Sequence, residues 1–404
     1  MPRVGVVHQS HIARLATALF GGRTRPAWTE DLGSELRSAA GNGPAELRTL
    51  AFIVAGLLIG PAYVLDAAAS DGKTAGSYWL LVTFAAAGTP DEMSILNNSP
   101  FDGIAIQTGS AYDTGPPPSP DLLAARLSGL RQAAHRDIWP WVFVNRIQKM
   151  DVGGAARQPF LDDWRAALRA ARRVGSPGVV LDLEFYSNPG LAYAISRFAG
   201  QTRTTAHEAA HRLEALGHEM AEITAREFPN ARIWVLTSGL DTADDERAGG
   251  QSFFQPRAHI VLGLLQELSR TKGAATVIDG GEDTLGYCHA NLDGLQRAIN
   301  RRPEKEARVL GAYRYWLAFA GTIAPWTDKA SKKGWLAEAD CGAAKADRAE
   351  EFTPYLKLLD STYAFNWMYA APVGGYQPFN PEVSARFDGI LRDARGRAPQ
   401  ARAQ

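Results

Sequence analysis

From residue 79 onward, short apolar segments rich in β-branched and aromatic residues alternate with longer amphipathic ones, and this alternation most constrains the fold. The strand-like segments are 79–84 (WLLVTF), 101–107 (FDGIAIQ), 141–147 (WVFVNRI), 178–184 (GVVLDLE), 233–237 (IWVLT), 275–279 (ATVID), 310–315 (LGAYRY) and 362–368 (TYAFNWM). Residues 313–317 within the seventh unit also fit a helix. Apolar residues recur at helical spacing in 120–136, 161–174, 204–228, 255–272 and 287–300, and 381–395 supplies a last helix. Eight such units predict one closed (β/α)8 TIM barrel over residues 75–395, with a polar tail at 396–404. A doubly wound open sheet competes, but no G-x-G-x-x-G follows the first strand and no phosphate-binding G-x-x-x-x-G-K-[ST] occurs.

Residues 50–65 (LAFIVAGLLIGPAYVL) are the long apolar run of the chain, with Arg48 before them and Ala67-Ala68-Ala69-Ser70 after. The run is shorter than the roughly 20 residues a spanning helix prefers, and Gly60-Pro61 breaks it. Residues 50–69 therefore read as a signal peptide cleaved near Ala69, or as an uncleaved signal anchor, and the expected location is secreted or periplasmic. The Ala-, Gly- and Arg-rich residues 1–49 read as a disordered or wrongly assigned extension. Cys288 and Cys341 are the two cysteines; an exported location permits one disulfide between them.

Hydrophobic residues make up 46% of the 404, enough for a large core, while 43 basic and 43 acidic residues leave no single-sign field. Scattered Arg and Lys lack the striped footprint of a nucleic-acid binder, so nucleic acid is excluded as a partner, and a membrane enters only through an uncleaved anchor.

Candidate chemistry concentrates where the fourth strand ends. Alternation along that strand predicts that Asp182 and Glu184 face the same way, toward the C-terminal mouth where barrel enzymes carry their sites. Helix capping or pairing with an Arg is the plainer role for such acids. The sixth strand ends in Asp279-Gly280-Gly281-Glu282, where paired glycines let the chain turn tightly and bring a second acid over the mouth. Two carboxylates flanking one bond are what glycoside hydrolysis requires. Gln107 and Asn145 would hold hydroxyls; Tyr186, Tyr287, Tyr315 and Trp367 would stack on sugar rings or bind hydroxyls, with core packing the alternative for each.

On these strand-end acids the chain resembles the (β/α)8 glycoside hydrolases, in which an acid of the form apolar-D-x-E or apolar-x-E on strand four is the usual proton donor. The chitinase-like D-x-x-D-x-D-x-E aligns with Pro177, Val180, Asp182 and Glu184, so its first two acids are absent. The resemblance implies an exported glycosidase with Glu184 as general acid/base, Asp182 tuning it, and Glu282 or Asp279 as the second carboxylate. It implies a carbohydrate substrate; no cofactor and no metal are expected.

Two other readings remain open on sequence. His207-Glu208-Ala209-Ala210-His211 matches H-E-x-x-H, which on a helix could bind zinc through the histidines with Glu208 as general base. A non-catalytic barrel that binds glycans is the third.

Overall fold

The computed structural model describes residues 77–83, 89–109, 119–144, 157–184, 194–242, 246–248, 250–285, 291–323, 353–370 and 381–396. Their strands are β1 (Tyr78–Thr83), β2 (Gly103–Gln107), β3 (Asp137–Phe143), β4 (Gly178–Asp182), β5 (Arg232–Val235), β6 (Glu246–Ala248), β7 (Gln251–Phe253), β8 (Thr276–Asp279), β9 (Leu317–Ile323) and β10 (Phe365–Ala370). Eight of them pair in parallel and close into a barrel in the order β1-β2-β3-β4-β5-β8-β9-β10, as the alternating sequence pattern predicts. Strands β6 and β7 form a separate antiparallel hairpin that the pattern does not announce.

The helices are α1 (Pro90–Ile95), α2 (Pro120–Ala134), α3 (Arg157–Val174), α4 (Ile195–Thr202), α5 (Ala206–Glu227), α6 (Pro256–Thr271), α7 (Glu282–Leu285), α8 (Leu292–Lys305), α9 (Ala307–Tyr313), α10 (Thr353–Thr362) and α11 (Pro381–Ala394). Local chemistry sets many of their ends. Thr205 and Glu208 form a reciprocal capping box at the start of α5, Asn291 caps α8, and Lys272 closes α6 in the left-handed region at φ +52. Apolar faces of α3, α5 and α6 cover one side of the barrel, with Trp164, Leu213, Met220, Val261 and Leu265 fully buried. Helices α5 and α6 approach closely through paired glycines: a Cβ on Gly263 would collide with the Glu214 carbonyl, and one on Gly217 with that of Ile260. Gly263→Ala is therefore expected to cost about 1–3 kcal/mol, read as a lower urea midpoint at unchanged slope. An unchanged midpoint would show that the helices can part without loss.

The strand register places alternate strands in layers inside the barrel. Leu80, Trp139, Trp234 and Ala320 share one layer, where the two indoles meet edge to face at 5.7 Å. The next holds Ala105, Val180, Gly280 and Trp367, and the one above it Val82, Trp141, Leu236 and Thr322. At the barrel floor Tyr78 accepts from Trp139 Nε1 at 2.8 Å and donates to Asp137 at 3.2 Å. Gly103 leaves room for that contact, since a Cβ there would strike the Tyr78 hydroxyl and the Trp139 ring.

Two strand expectations need correction. Residues 310–315 end helix α9 and the turn after it; the seventh barrel strand is Leu317–Ile323. Its lumen-facing Ala318 and Ala320 are small because Trp139, Trp234 and Trp367 occupy the lumen opposite them, so β9 lacks the bulky residues that mark a strand. The third strand begins at Asp137, four residues before 141, and contains Pro140 opposite Ile106. Proline has no N–H for the ladder and normally argues against a central strand. Among the described residues, no helix is long and apolar enough to cross a membrane. The apolar run 50–65, the extension before it, both cysteines and the tail beyond Gly396 lie outside the described residues.

Candidate functional site

Strand β4 delivers Asp182 to the mouth of the barrel. Val180 faces the lumen, so period-two alternation turns Asp182 inward as well, opposite Phe143 on β3. Around the barrel its height matches Gln107 at the end of β2 and Tyr369 near the end of β10. Asp182 is fully buried, and its Oδ1 accepts the Glu184 N–H at 2.9 Å. That local turn ends the strand at Asp182. Strand alternation therefore does not carry on to Glu184, as the sequence suggests; the Asp182 carboxylate holds the Glu184 backbone instead, and the Glu184 side chain is half-exposed.

Three further groups complete the rim. Gln107 is half-exposed, and Glu282 opens α7 directly after Gly280-Gly281 and is also half-exposed. Thr322, one layer below Asp182, is 2% exposed, and its hydroxyl has no hydrogen-bond partner among the described residues. A buried hydroxyl left this way is costly unless something else satisfies it, which makes Thr322 a candidate ligand-binding group. The sequence misses it because β9 is misplaced there.

Asp279 does not join this rim. Val277 and Asp279 alternate away from the lumen-facing Ile278, so the Asp279 carboxylate points into the helix layer. There its Oδ2 lies 3.1 Å from Nη2 of Arg302 on α8, both side chains being sealed from solvent. Arg302 also reaches Glu306 Oε1 at 3.0 Å and lies over the Phe319 ring at 4.5 Å. Lys305 on the same helix faces Asp241 at 3.6 Å. Sequence reasoning overlooked this buried ion cluster, since nothing in R-R-P-E-K-E distinguishes an inward Arg from a solvated one.

Burial, with the Asp279 charge adding to it, pushes the Glu306 carboxyl up from 4.5 to about 8, and Arg302 pulls the other way. Folded Glu306 then keeps a proton that the unfolded chain loses near pH 4.5, so stability declines as pH rises from about 4.5 toward 8. The slope contributed is at most about 1.4 kcal/mol per pH unit. Urea midpoints of the parent are expected to fall from pH 5 to pH 8, and Glu306→Gln to flatten that fall; equal slopes in both would remove Glu306 as the cause.

Other expected site residues lie elsewhere. Trp367 is fully buried in the lumen, and its Nε1 donates to the Gly280 carbonyl at 2.7 Å, so it packs the core rather than stacking on a ligand. Tyr315 is 63% exposed in the turn that precedes β9, at the N-terminal end of the barrel, opposite the mouth. It is there because the strand expected to end at 315 starts at 317. Asn145, Tyr186 and Tyr287 lie outside the described residues.

The zinc reading of residues 207–211 does not survive. Glu208 is the capping residue of α5, accepting from the Thr205 N–H at 2.8 Å, and His207 and His211 are exposed on the outer helix layer with Nε2 atoms 3.1 Å apart. Among the described residues no cluster of three His, Cys, Asp or Glu side chains could hold a metal ion.

No protein-family model matches the chain, and neither does any curated protein. Similar solved structures are barrels. A 3-keto-D-glucoside 4-epimerase from E. coli is 13% identical, with 78% of this chain and 98% of that one covered at a TM-score of 0.42. A sugar phosphate isomerase/epimerase from Parabacteroides distasonis is 11% identical, with 80% and 97% covered at 0.42. Endonuclease IV from Thermus thermophilus is 12% identical, with 79% and 98% covered at 0.38. Similarity at this level concerns the fold alone.

The glycoside hydrolase expectation is corrected on one structural finding. Asp279, one of the two acids expected to oppose Glu184, is committed to Arg302 behind the barrel wall.

Proposed function

We propose that this chain is an enzyme that moves a proton on and off a carbon of a small polyhydroxylated substrate of the carbohydrate class, at the C-terminal mouth of the barrel. Glu184 is the base in this reading, and Glu282, two strands further round, is a second acid/base group. The observation that carries it is the coupling of the two acids at the end of β4: sealed Asp182 holds the Glu184 N–H at 2.9 Å, so the Glu184 backbone is fixed beside the strand end while its side chain stays half-exposed.

Abstraction of a proton next to a carbonyl needs one placed base and a donor that polarises the oxygen. The Gln107 amide and Thr322 hydroxyl, carried on β2 and β9 toward the same mouth, would supply donors, and several such groups in one mouth suit a ligand with several hydroxyls.

The test is incubation of the chain in deuterated water with a panel of aldoses, ketoses and their phosphates, read by NMR at carbon-bound positions. Deuterium is expected to enter at least one sugar with the parent and to be lost with Glu184→Gln. If no sugar exchanges with the parent, the reading fails.

A further inference from the structure

The turn that carries Glu282 is held by unusual means. Arg302, 1% exposed, donates through Nη2 to the Asp279 carbonyl at 3.0 Å and through Nη1 to the Ala320 carbonyl at 2.7 Å. One guanidinium thus joins the C-terminal end of β8 to the middle of β9. Its partner Asp279 turns Oδ1 to the Gly281 N–H at 3.0 Å. The Gly280 N–H donates to the Val235 carbonyl at 2.6 Å, and Leu285 closes α7 by donating to the Gly281 carbonyl at 2.8 Å. Gly281 adopts φ +75, and a Cβ there would press on Arg302 Nη1 and the Ala320 carbonyl. The chain therefore passes from Asp279 to Glu282 along a path shaped around the guanidinium.

Stability alone does not call for such a group. Apolar side chains of similar volume fill a buried site as well as a buried ion pair does, and often better, but they cannot direct a carbonyl, a carboxylate and a following N–H at once. Lysine, a point charge, could not bridge two strands and face a carboxylate in this planar arrangement.

We propose that Arg302 is a positioning residue for the mouth: through Asp279 and the β8 carbonyl it sets the Gly280-Gly281 turn, and thereby where Glu282 stands. The functional consequence rests on the reading of Glu282 as an acid/base group; the positioning itself does not.

Amide hydrogen exchange on the full chain tests the positioning without any substrate. In the parent, the Gly281 and Leu285 amides are expected to exchange at least about 100-fold slower than an open loop, and exchange at loop rates overturns the proposal with no variant needed. In Arg302→Lys and Asp279→Asn, protection at 281–285 is expected to fall about tenfold or more while β1 to β4 stay within about twofold. A loss shared equally by the whole barrel, or an unaltered turn, overturns it.

Deuterium incorporation into sugar then separates the two ideas. With a turnover to follow, Asp279→Asn is expected to lower kcat about tenfold or more with KM within about twofold, and an unchanged kcat beside a loosened turn overturns the role assigned to Arg302. A clamped turn in a parent that exchanges no sugar supports the positioning and sinks only the reading of the reaction.

Discussion

Arg302→Leu is expected to lower folding stability by about 3–5 kcal/mol, the scale for breaking a buried ion pair from one side. The substitution leaves Asp279 at 2% and Glu306 at 0% exposure without their shared cation, and removes the donor from the carbonyls of Asp279 and Ala320. Neither acid can rotate to water. Without the Arg302 charge, which holds the Glu306 carboxyl down, Glu306 would keep its folded-state proton to still higher pH, so the variant's stability should fall more than the parent's as pH rises to 8. Urea titrations of parent and variant at pH 5 and pH 8 measure it. Adding Asp279→Asn and Glu306→Gln to Arg302→Leu should restore a large share of the loss, because neutral amides no longer need the guanidinium. A cost below about 1 kcal/mol for the single change would mean that water already reaches the cluster, and the account of a sealed network would fall.

Glu184→Gln is expected to lower any proton-exchange turnover by about 10²–10⁴, the range for loss of a positioned general base. Its stability should stay near the parent's, since the side chain is half-exposed and the replacement keeps its shape. Asp182→Ala should behave differently. It removes the acceptor that holds the Glu184 N–H and empties a fully buried position, so stability and turnover should fall together. Equal effects of the two substitutions on stability would contradict the division of labour between them. The readouts are deuterium incorporation by NMR and urea midpoints on the same preparations.

Much of the barrel is legible in the chain because covered strands and half-covered helices have different periods. The runs at Trp79, Val179 and Ile233 are apolar on both faces, and the amphipathic segments between them have one apolar side, so parallel strands under a helix layer follow. The same reasoning finds Asp182 and Glu184, since an acid that follows four buried residues has to lie at a strand end. It fails at β9, whose Ala318 and Ala320 match the indoles of distant strands rather than any local preference. It fails at Pro140 for the opposite reason, a residue disfavoured in the ladder that this strand tolerates.

The alternation of periods thus determined, from the chain alone, that a barrel forms and that β4 ends at an acid, Asp182. Which acids face the mouth was decided by the closed register. Asp279 lies one residue beyond a lumen-facing position, and that single step of pleat sends its carboxylate to Arg302, while Asp182 falls on the lumen side. Burial partners separated by tens of residues leave no local trace in a sequence, whereas strand and helix periods are written in neighbouring residues. The barrel was therefore readable and the buried ion cluster behind its wall was not.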